Sequence, residues 1–157
     1  MKITLVLTGK TEVDYVQQGS EEYSKRIKRY NSFEIVSVPD IKNAKSLSIE
    51  QYKQKEAENQ VKYLQNADLI ILLDEFGKEY TSVEFGRYIE SRIQASVKHM
   101  VFVVGGAYGF APEIRKMSHH SISLSKLTFP HQLVRLLFLE QLYRAFTIIR
   151  NEKYHHS

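Results

Sequence analysis

Two largely apolar runs, DLIILL at residues 68–73 and HMVFVV at residues 99–104, indicate most clearly how this chain folds. Both are short and rich in branched aliphatic residues, and neither shows the polar alternation of a strand with one face in water. Three further runs are strand candidates, namely Lys2–Thr8, Phe33–Val38 and His120–Leu124. Continuous apolar strands of this kind are typical of a mostly parallel sheet covered by helices on both faces.

Helical patterns occupy the segments between these runs. They cover Glu12–Arg29, Ser48–Gln65, Val83–Ser96, Glu113–Lys116 and Pro130–Ile149. Ser48 followed three residues later by Gln51 predicts a capping box, and Ser82 is the predicted cap of the third helix. Residues 74–79 are predicted as a turn. Alternating strands and helices without a repeat or linker predict a single α/β domain over residues 1–157.

The last predicted helix is apolar on almost every face, from Leu133 and Val134 to Ile148 and Ile149. Such a helix needs cover on all sides. The sheet can cover one side, and we expect a second copy of the chain to cover another, which makes the protein a homodimer. The alternative is a helix buried on all sides within one chain.

Composition excludes several classes of protein. The 157 residues are 43% hydrophobic and 25% charged, which is ordinary for a globular domain and excludes a disordered chain. The absence of cysteine excludes a disulfide framework and a catalytic thiol. The longest aliphatic run, Leu69–Leu73, is far shorter than a membrane span, so we expect no membrane association and a cytoplasmic protein.

The charge of +4 is evenly distributed along the chain except for KRIKRY at residues 25–30. This cluster suits either phosphate binding or a solvated helix end whose cations face the negative end of the helix dipole.

Glycine and histidine positions give weaker indications of a site. Gly105 and Gly106 directly follow an apolar run, and ligands of open α/β sheets bind beyond the carboxyl ends of the strands. The loops after Leu73, Val104 and Leu124 are therefore predicted to form a ligand-binding site at this edge of the sheet.

The histidine pairs at residues 119–120 and 155–156 lack acidic partners at the spacing of metal ligands, so we expect no metal site.

Longer segments are recognisable. They are LLDEFGK at residues 72–78, FVVGGAYG at 102–109, SLSKLTFPHQLVR at 123–135, EQLYRA at 140–145 and NEKYH at 151–155. In this order the chain resembles the RlmH-type ribosomal RNA methyltransferases of the SPOUT class over its whole length. The resemblance implies an α/β fold with a deep C-terminal trefoil knot, a homodimer, and S-adenosyl-L-methionine bound in the knot.

It also implies an activity. The family methylates N3 of a pseudouridine in the helix-69 loop of 23S rRNA on assembled 70S ribosomes. Two alternatives stay open, which are a SPOUT methyltransferase with another RNA target such as tRNA, and a ribosome-binding factor without catalysis.

Site residues follow from the same resemblance. The implied cofactor-binding residues are Leu73, Gly105, Leu124, Ser125, Lys126, Leu127, Thr128 and Phe129. The implied substrate contacts are Arg144, Tyr154 and His155. We expect Arg144 to contact phosphate or base, Tyr154 to stack on a base, and His155 to accept the N3 proton or position a water.

Overall fold

The computed structural model describes residues 1–156, and its strands are β1 (Lys2–Thr8), β2 (Ser32–Val38), β3 (Leu69–Glu79), β4 (His99–Val104) and β5 (His120–Ser123). They form one sheet in the order β2-β1-β4-β3-β5. Each pair of neighbours in that order is parallel. The predicted parallel sheet is therefore confirmed.

Helices connect these strands as predicted. They are α1 (Asp14–Ile27), α2 (Ile49–Leu64), α3 (Ser82–Gln94), α4 (Pro112–Met117) and α5 (His131–Ile149), with a single 3-10 turn at Ala44–Ser46. The trefoil knot stays a prediction of the resemblance, since strand order and pairing do not define whether one loop passes through another.

Side chains of the strands alternate between two cores. Leu5, Ile71 and Phe102 point to the face covered by α1, α3 and α5. Val6, Leu72 and Val103 point to the opposite face, under α2 and α4. Both faces of the central strands are dry, which explains why their sequences are continuous apolar runs.

The third strand is longer than the sequence predicts. The predicted turn at residues 74–79 is wrong, because Lys78 and Glu79 pair with Ile122 and Ser123 of β5. The pairing is irregular between Leu73 and Lys78, so the strand bends there before it resumes.

Helix capping gives one confirmation and one correction. The Ser48 hydroxyl accepts a hydrogen bond from the Gln51 backbone N–H at 3.1 Å, which confirms the predicted capping box of α2. Ser82 is not the cap of α3, because Thr81 holds that position. A capping box needs Glu or Gln three residues after the cap, and Thr81 has Glu84 there.

Helix α5 lies between α1 and α3 with its inner side on the sheet. Gly19 of α1 lies against Leu136, and Gly86 of α3 lies against Ile148. The chain itself thus covers three sides of α5. The outer side, which carries Leu133 and Leu137, is only partly buried.

A buried carboxyl group lies beneath the glycine loop. Glu56 of α2 is 3% exposed, and its Oε2 has no hydrogen-bond partner within residues 1–156. Burial raises the pKa of Glu56 to about 7, and the charge of Asp40 adds to this rise, while the Gly106 backbone N–H opposes it. The folded protein therefore holds this proton more tightly than the unfolded chain does.

This linkage predicts that stability falls as pH rises. A pKa raised on folding contributes stability that is complete below the unfolded value of 4.5 and is lost as pH passes about 7. We expect the free energy of unfolding to drop by about 2 kcal/mol between pH 5 and pH 7 from this group alone. Glu56→Gln removes the titration, so urea denaturation of the variant across this range should show a drop smaller by that amount. An unchanged profile in the variant would show that Glu56 does not titrate there.

Candidate functional site

Two neighbouring cavities open at the carboxyl ends of β3 and β5. The smaller has a volume of about 130 Å³ and the larger about 320 Å³. Their combined size is in the range of sites that hold a small organic ligand. Both are lined by the same segment, namely Ile122, Ser123, Leu124, Ser125 and Phe129. The segment that joins β5 to α5 therefore forms the shared wall of the site.

Six of the eight predicted cofactor residues line these cavities. They are Leu73, Leu124, Ser125, Leu127, Thr128 and Phe129. Lys126 is exposed and lines neither cavity. Gly105 does not line either cavity. It directly follows Val104, however, which pairs with Leu73 at the cavity wall.

The loop of residues 124–129 is held in shape by its own polar atoms. The Ser123 hydroxyl donates to the Ser125 carbonyl oxygen at 3.0 Å, and the Leu127 N–H donates to the Ser125 hydroxyl at 2.9 Å. Leu127 is 73% exposed, although it is a large apolar side chain. The loop thus presents apolar side chains at the mouth of the cavities.

Several cavity residues are absent from the sequence predictions. They are Tyr80, Thr81, Ser82, Phe85, Leu137 and Gln141, which line the larger cavity. The Ser82 hydroxyl donates to Gln141 Oε1 at 2.8 Å, which joins α3 to α5 at this wall. No motif in the sequence marks them as site residues, because they come from the end of β3, from the start of α3 and from α5 and meet only through tertiary packing.

The three predicted substrate-contact residues lie together in a second place, which we call the Arg144 cluster: Tyr23, Glu140, Arg144, Tyr154 and His155. Arg144 forms an ion pair with Glu140 one turn earlier on α5. Its guanidinium lies 4.8 Å from the centroid of the Tyr154 ring. The structure therefore brings the tail onto the C-terminal half of α5.

Burial and hydrogen bonds define the protonation states of Tyr154 and Arg144. The Tyr154 hydroxyl donates to Glu140 Oε1 at 3.1 Å and lies 3.3 Å from the Tyr23 hydroxyl. Burial raises the pKa of Tyr154 above its ordinary value, and the hydrogen bond with Tyr23 and the Glu140 carboxylate raise it further. The hydrogen bond from Arg144 to Glu140 raises the pKa of Arg144. Tyr154 is thus a neutral phenol, and Arg144 is a cation.

The imidazole of His155 is oriented by Arg144. Arg144 Nη1 lies 3.4 Å from His155 Nδ1, and an arginine only donates, so Nδ1 accepts. In a neutral imidazole the proton then sits on Nε2, which is buried and has no partner within residues 1–156. The two predicted roles of His155, accepting the N3 proton or positioning a water, stay predictions.

Within one chain the Arg144 cluster adjoins the cavities without lining them. Arg144, Tyr154 and His155 line neither of them. Val134, which lines the smaller cavity, precedes Arg144 by ten residues of α5, or about 15 Å along the helix. The larger cavity comes closer, because its Gln141 donates from Nε2 to Glu140 Oε2 at 2.8 Å.

The first histidine pair, at residues 119–120, takes structural positions. His119 Nδ1 accepts a hydrogen bond from the Ile70 N–H at 3.0 Å, and the His120 ring packs against Tyr88. Residues 1–156 contain no group of three or more His, Asp or Glu side chains placed to hold a metal ion. No helix in the same range is long and apolar enough to cross a membrane.

Comparison with known proteins gives consistent matches. A family model described as "Predicted SPOUT methyltransferase" matches residues 1–155. A protein of Parabacteroides distasonis named ribosomal RNA large subunit methyltransferase H is 50% identical over 100% of both chains. A protein of the same name from Christiangramia forsetii is 47% identical over 99% of both chains.

A crystal structure supports the fold. That of a probable methyltransferase from Bordetella pertussis Tohama I matches with a TM-score of 0.56 and 12% identity, over 92% of this chain and 96% of that one. Taken with the full-length matches in sequence, the chain belongs to the SPOUT methyltransferase family, as a relative of ribosomal RNA large subunit methyltransferase H.

Proposed function

We propose that this protein is an S-adenosyl-L-methionine-dependent methyltransferase of 23S rRNA, working in the cytoplasm on assembled 70S ribosomes. Its target is N3 of a pseudouridine in the helix-69 loop. The observation that carries the proposal is the 124–129 loop, which lines both cavities in a chain whose full-length relatives are named as ribosomal RNA methyltransferases. The whole chain acts as one domain.

The cavities suit the proposed cofactor in shape and chemistry. Leu73, Leu124 and Phe129 give an apolar wall of the kind that holds an adenine ring, while backbone groups of the loop are available to its polar edge. Binding of the cofactor in these cavities requires neither a metal ion nor a cysteine. When bound, S-adenosyl-L-methionine supplies an electrophilic methyl group, so the protein chiefly has to orient the acceptor.

The Arg144 cluster supplies that orientation. Arg144 carries a permanent positive charge that suits a phosphate or a base carbonyl oxygen. Tyr154 offers an aromatic face for stacking on the target base or its neighbour. His155, which is held by Arg144, positions the base or a water next to N3. Loss of the N3 proton is then left to a water or to another group of the ribosome.

A homodimer brings the two groups of residues together. The outer side of α5 carries the partly buried Leu133 and Leu137 toward one end and Arg144 toward the other. A two-fold axis through the middle of this helix places the C-terminal half of one α5 over the N-terminal half of the other. Each cavity then faces the partner subunit's Arg144, so that every active site contains residues of both chains.

Positions of the 124–129 loop should differ in their tolerance of substitution. Phe129→Ala removes a large apolar wall of both cavities, and we expect a loss of cofactor affinity of about tenfold or more. Lys126→Ala removes an exposed side chain that lines neither cavity, and its effect should stay within about twofold. Isothermal titration with S-adenosyl-L-methionine measures both. Equal losses in the two variants would contradict the proposed placement of the cofactor.

The substrate is tested by transfer of labelled methyl groups. Ribosomes from cells that lack this methylation, free large-subunit RNA and tRNA are compared, and the labelled nucleoside is identified. Label confined to 3-methylpseudouridine on assembled ribosomes is the expected result. Label on tRNA would move the target to another RNA, and no label without cofactor binding would favour a ribosome-binding factor.

A further inference from the structure

The ends of α1 and α5 meet at one place on the surface. The Tyr30 ring stacks on Phe146 with 5.7 Å between centroids, and the Tyr30 hydroxyl donates to Glu152 Oε2 at 2.6 Å. These contacts place the basic end of α1 beside the segment that follows α5. We call the exposed cations of the two segments the basic surface, which consists of Lys25, Lys28, Arg29, Arg150 and Lys153.

The cations of the basic surface are free, whereas two of the three nearby acidic groups are engaged. None of the five cations forms an ion pair within residues 1–156. Glu22 is paired with Arg26, and Glu152 accepts from Tyr30. Residues 21–30 and 150–153 contain six basic and three acidic residues, so a charge of +3 out of the protein's +4 lies here. Lys25 lies in the last turn of α1, Lys28 is its C-cap and Arg29 follows, so the three cations lie together at this helix end.

Helix dipoles account for only part of this charge. The C-terminal end of a helix is equivalent to about half a negative charge. Two helix ends together attract about one cation, and the surface carries five. The remaining cations are available to an external anion, and backbone phosphates of a nucleic acid are anions that Lys and Arg side chains neutralise.

The basic surface is continuous with the Arg144 cluster. The Arg26 guanidinium lies 5.5 Å from the centroid of the Tyr143 ring, and that ring lies 4.7 Å from the Tyr154 ring. A cavity of about 340 Å³ lined by Glu22, Arg26, Arg29, Tyr30 and Tyr143 opens between them. A strand whose base reaches the Arg144 cluster would thus run its next phosphates across the cations.

We infer that the basic surface binds backbone phosphates of the rRNA strand that flanks the target nucleotide. This inference rests on the proposed function and adds the surface by which the substrate is held. Such contacts are independent of base sequence and position the strand, while the Arg144 cluster and the cavity select the nucleotide. They also weaken with salt, because each bound phosphate releases counterions.

Two triple variants of equal charge test the inference. The first replaces Lys25, Lys28 and Arg29 with Ala on the basic surface. The control replaces three exposed cations on the opposite face of the sheet, Lys55, Lys62 and Lys116. Initial rates with unmethylated 70S ribosomes and ribosome co-sedimentation are measured at several salt concentrations. A double variant, Lys25→Arg with Lys28→Arg, keeps the charge.

We expect the basic-surface variant to raise the KM for ribosomes about tenfold and to flatten the log–log salt slope by about 2. Its kcat at saturating ribosomes and its affinity for S-adenosyl-L-methionine stay at wild-type values, as do all properties of the Lys-to-Arg variant. Equal ribosome affinity and salt slope in the two triple variants would overturn the inference. Co-sedimentation decides this even if the wild-type protein transfers no methyl group to ribosomes, a result that would overturn only the proposed function.

Discussion

Arg144→Ala is expected to lower kcat/KM for methyl transfer to ribosomes by on the order of a hundredfold or more, while cofactor affinity stays unchanged. Loss of one charged donor aimed at the reacting base commonly has an effect of this size. The substitution also removes the hydrogen bond that orients His155 and the ion pair with the Glu140 carboxylate. Cofactor affinity is spared because Arg144 lines neither cavity of its own chain.

Single-turnover rates and titration with S-adenosyl-L-methionine measure the two effects separately. Arg144→Lys keeps the charge but loses the fork of donors that reaches Glu140 and His155 together, so we expect partial recovery. The matched control is Arg87→Ala, which removes an exposed arginine of α3 without an ion pair within residues 1–156. Wild-type rates in Arg144→Ala would remove this residue from the site.

Mixing of two inactive variants tests whether each site contains both chains. Phe129→Asp places a carboxylate in the apolar cavity wall and abolishes cofactor binding in its own chain. Mixed dimers with Arg144→Ala then contain one site with an intact cavity and an intact partner arginine. Random reassortment should restore about a quarter of wild-type activity, since half of the dimers are mixed and one of their two sites works. No recovery would place Arg144 and the cavity of the same chain in one site.

The sheet was predictable from local sequence because its strands are buried on both faces. β1 and β4 have the predicted boundaries, since a run of residues with two dry faces stands out against its polar flanks. The second half of β3 was not predictable. Residues 74–79 contain Asp, Glu, Gly and Lys, which are typical of turns, and they are in a strand only because β5 lies beside them.

The same distinction applies to the candidate site. The 124–129 loop was placed by resemblance to a known family, and its apolar residues do line the cavities. Tyr80 and Gln141 line the larger cavity through tertiary packing, for which one sequence holds no local signal. The burial of Glu56 has no sequence signal for a related reason, since a charged helix gives no indication that one of its carboxyl groups is buried.

Gly77 is the position where a small substitution should disturb both fold and site. A Cβ atom added at this residue would lie 2.6 Å from backbone atoms of Ile122 and Ser121. Backbone atoms of a paired strand cannot rotate away as the end of a side chain can, so β3 and β5 have to separate. We expect Gly77→Ala to lower the free energy of unfolding by about 3 kcal/mol or more, at the upper end of the effects of overpacking.

The effect on function follows from the chain path. Ser123 ends β5 and begins the loop that lines both cavities, so a shift of β5 moves the cavity wall. Cofactor affinity of folded Gly77→Ala should therefore fall more than tenfold, which corresponds to at least about 1.4 kcal/mol. Phe76→Ala is the control for stability, because Phe76 is 86% exposed and its removal should cost less than about 0.5 kcal/mol. Urea denaturation and isothermal titration read out the two quantities. Wild-type stability in Gly77→Ala would mean that β5 does not lie against this residue, and that the bend in β3 is not what shapes the cofactor site.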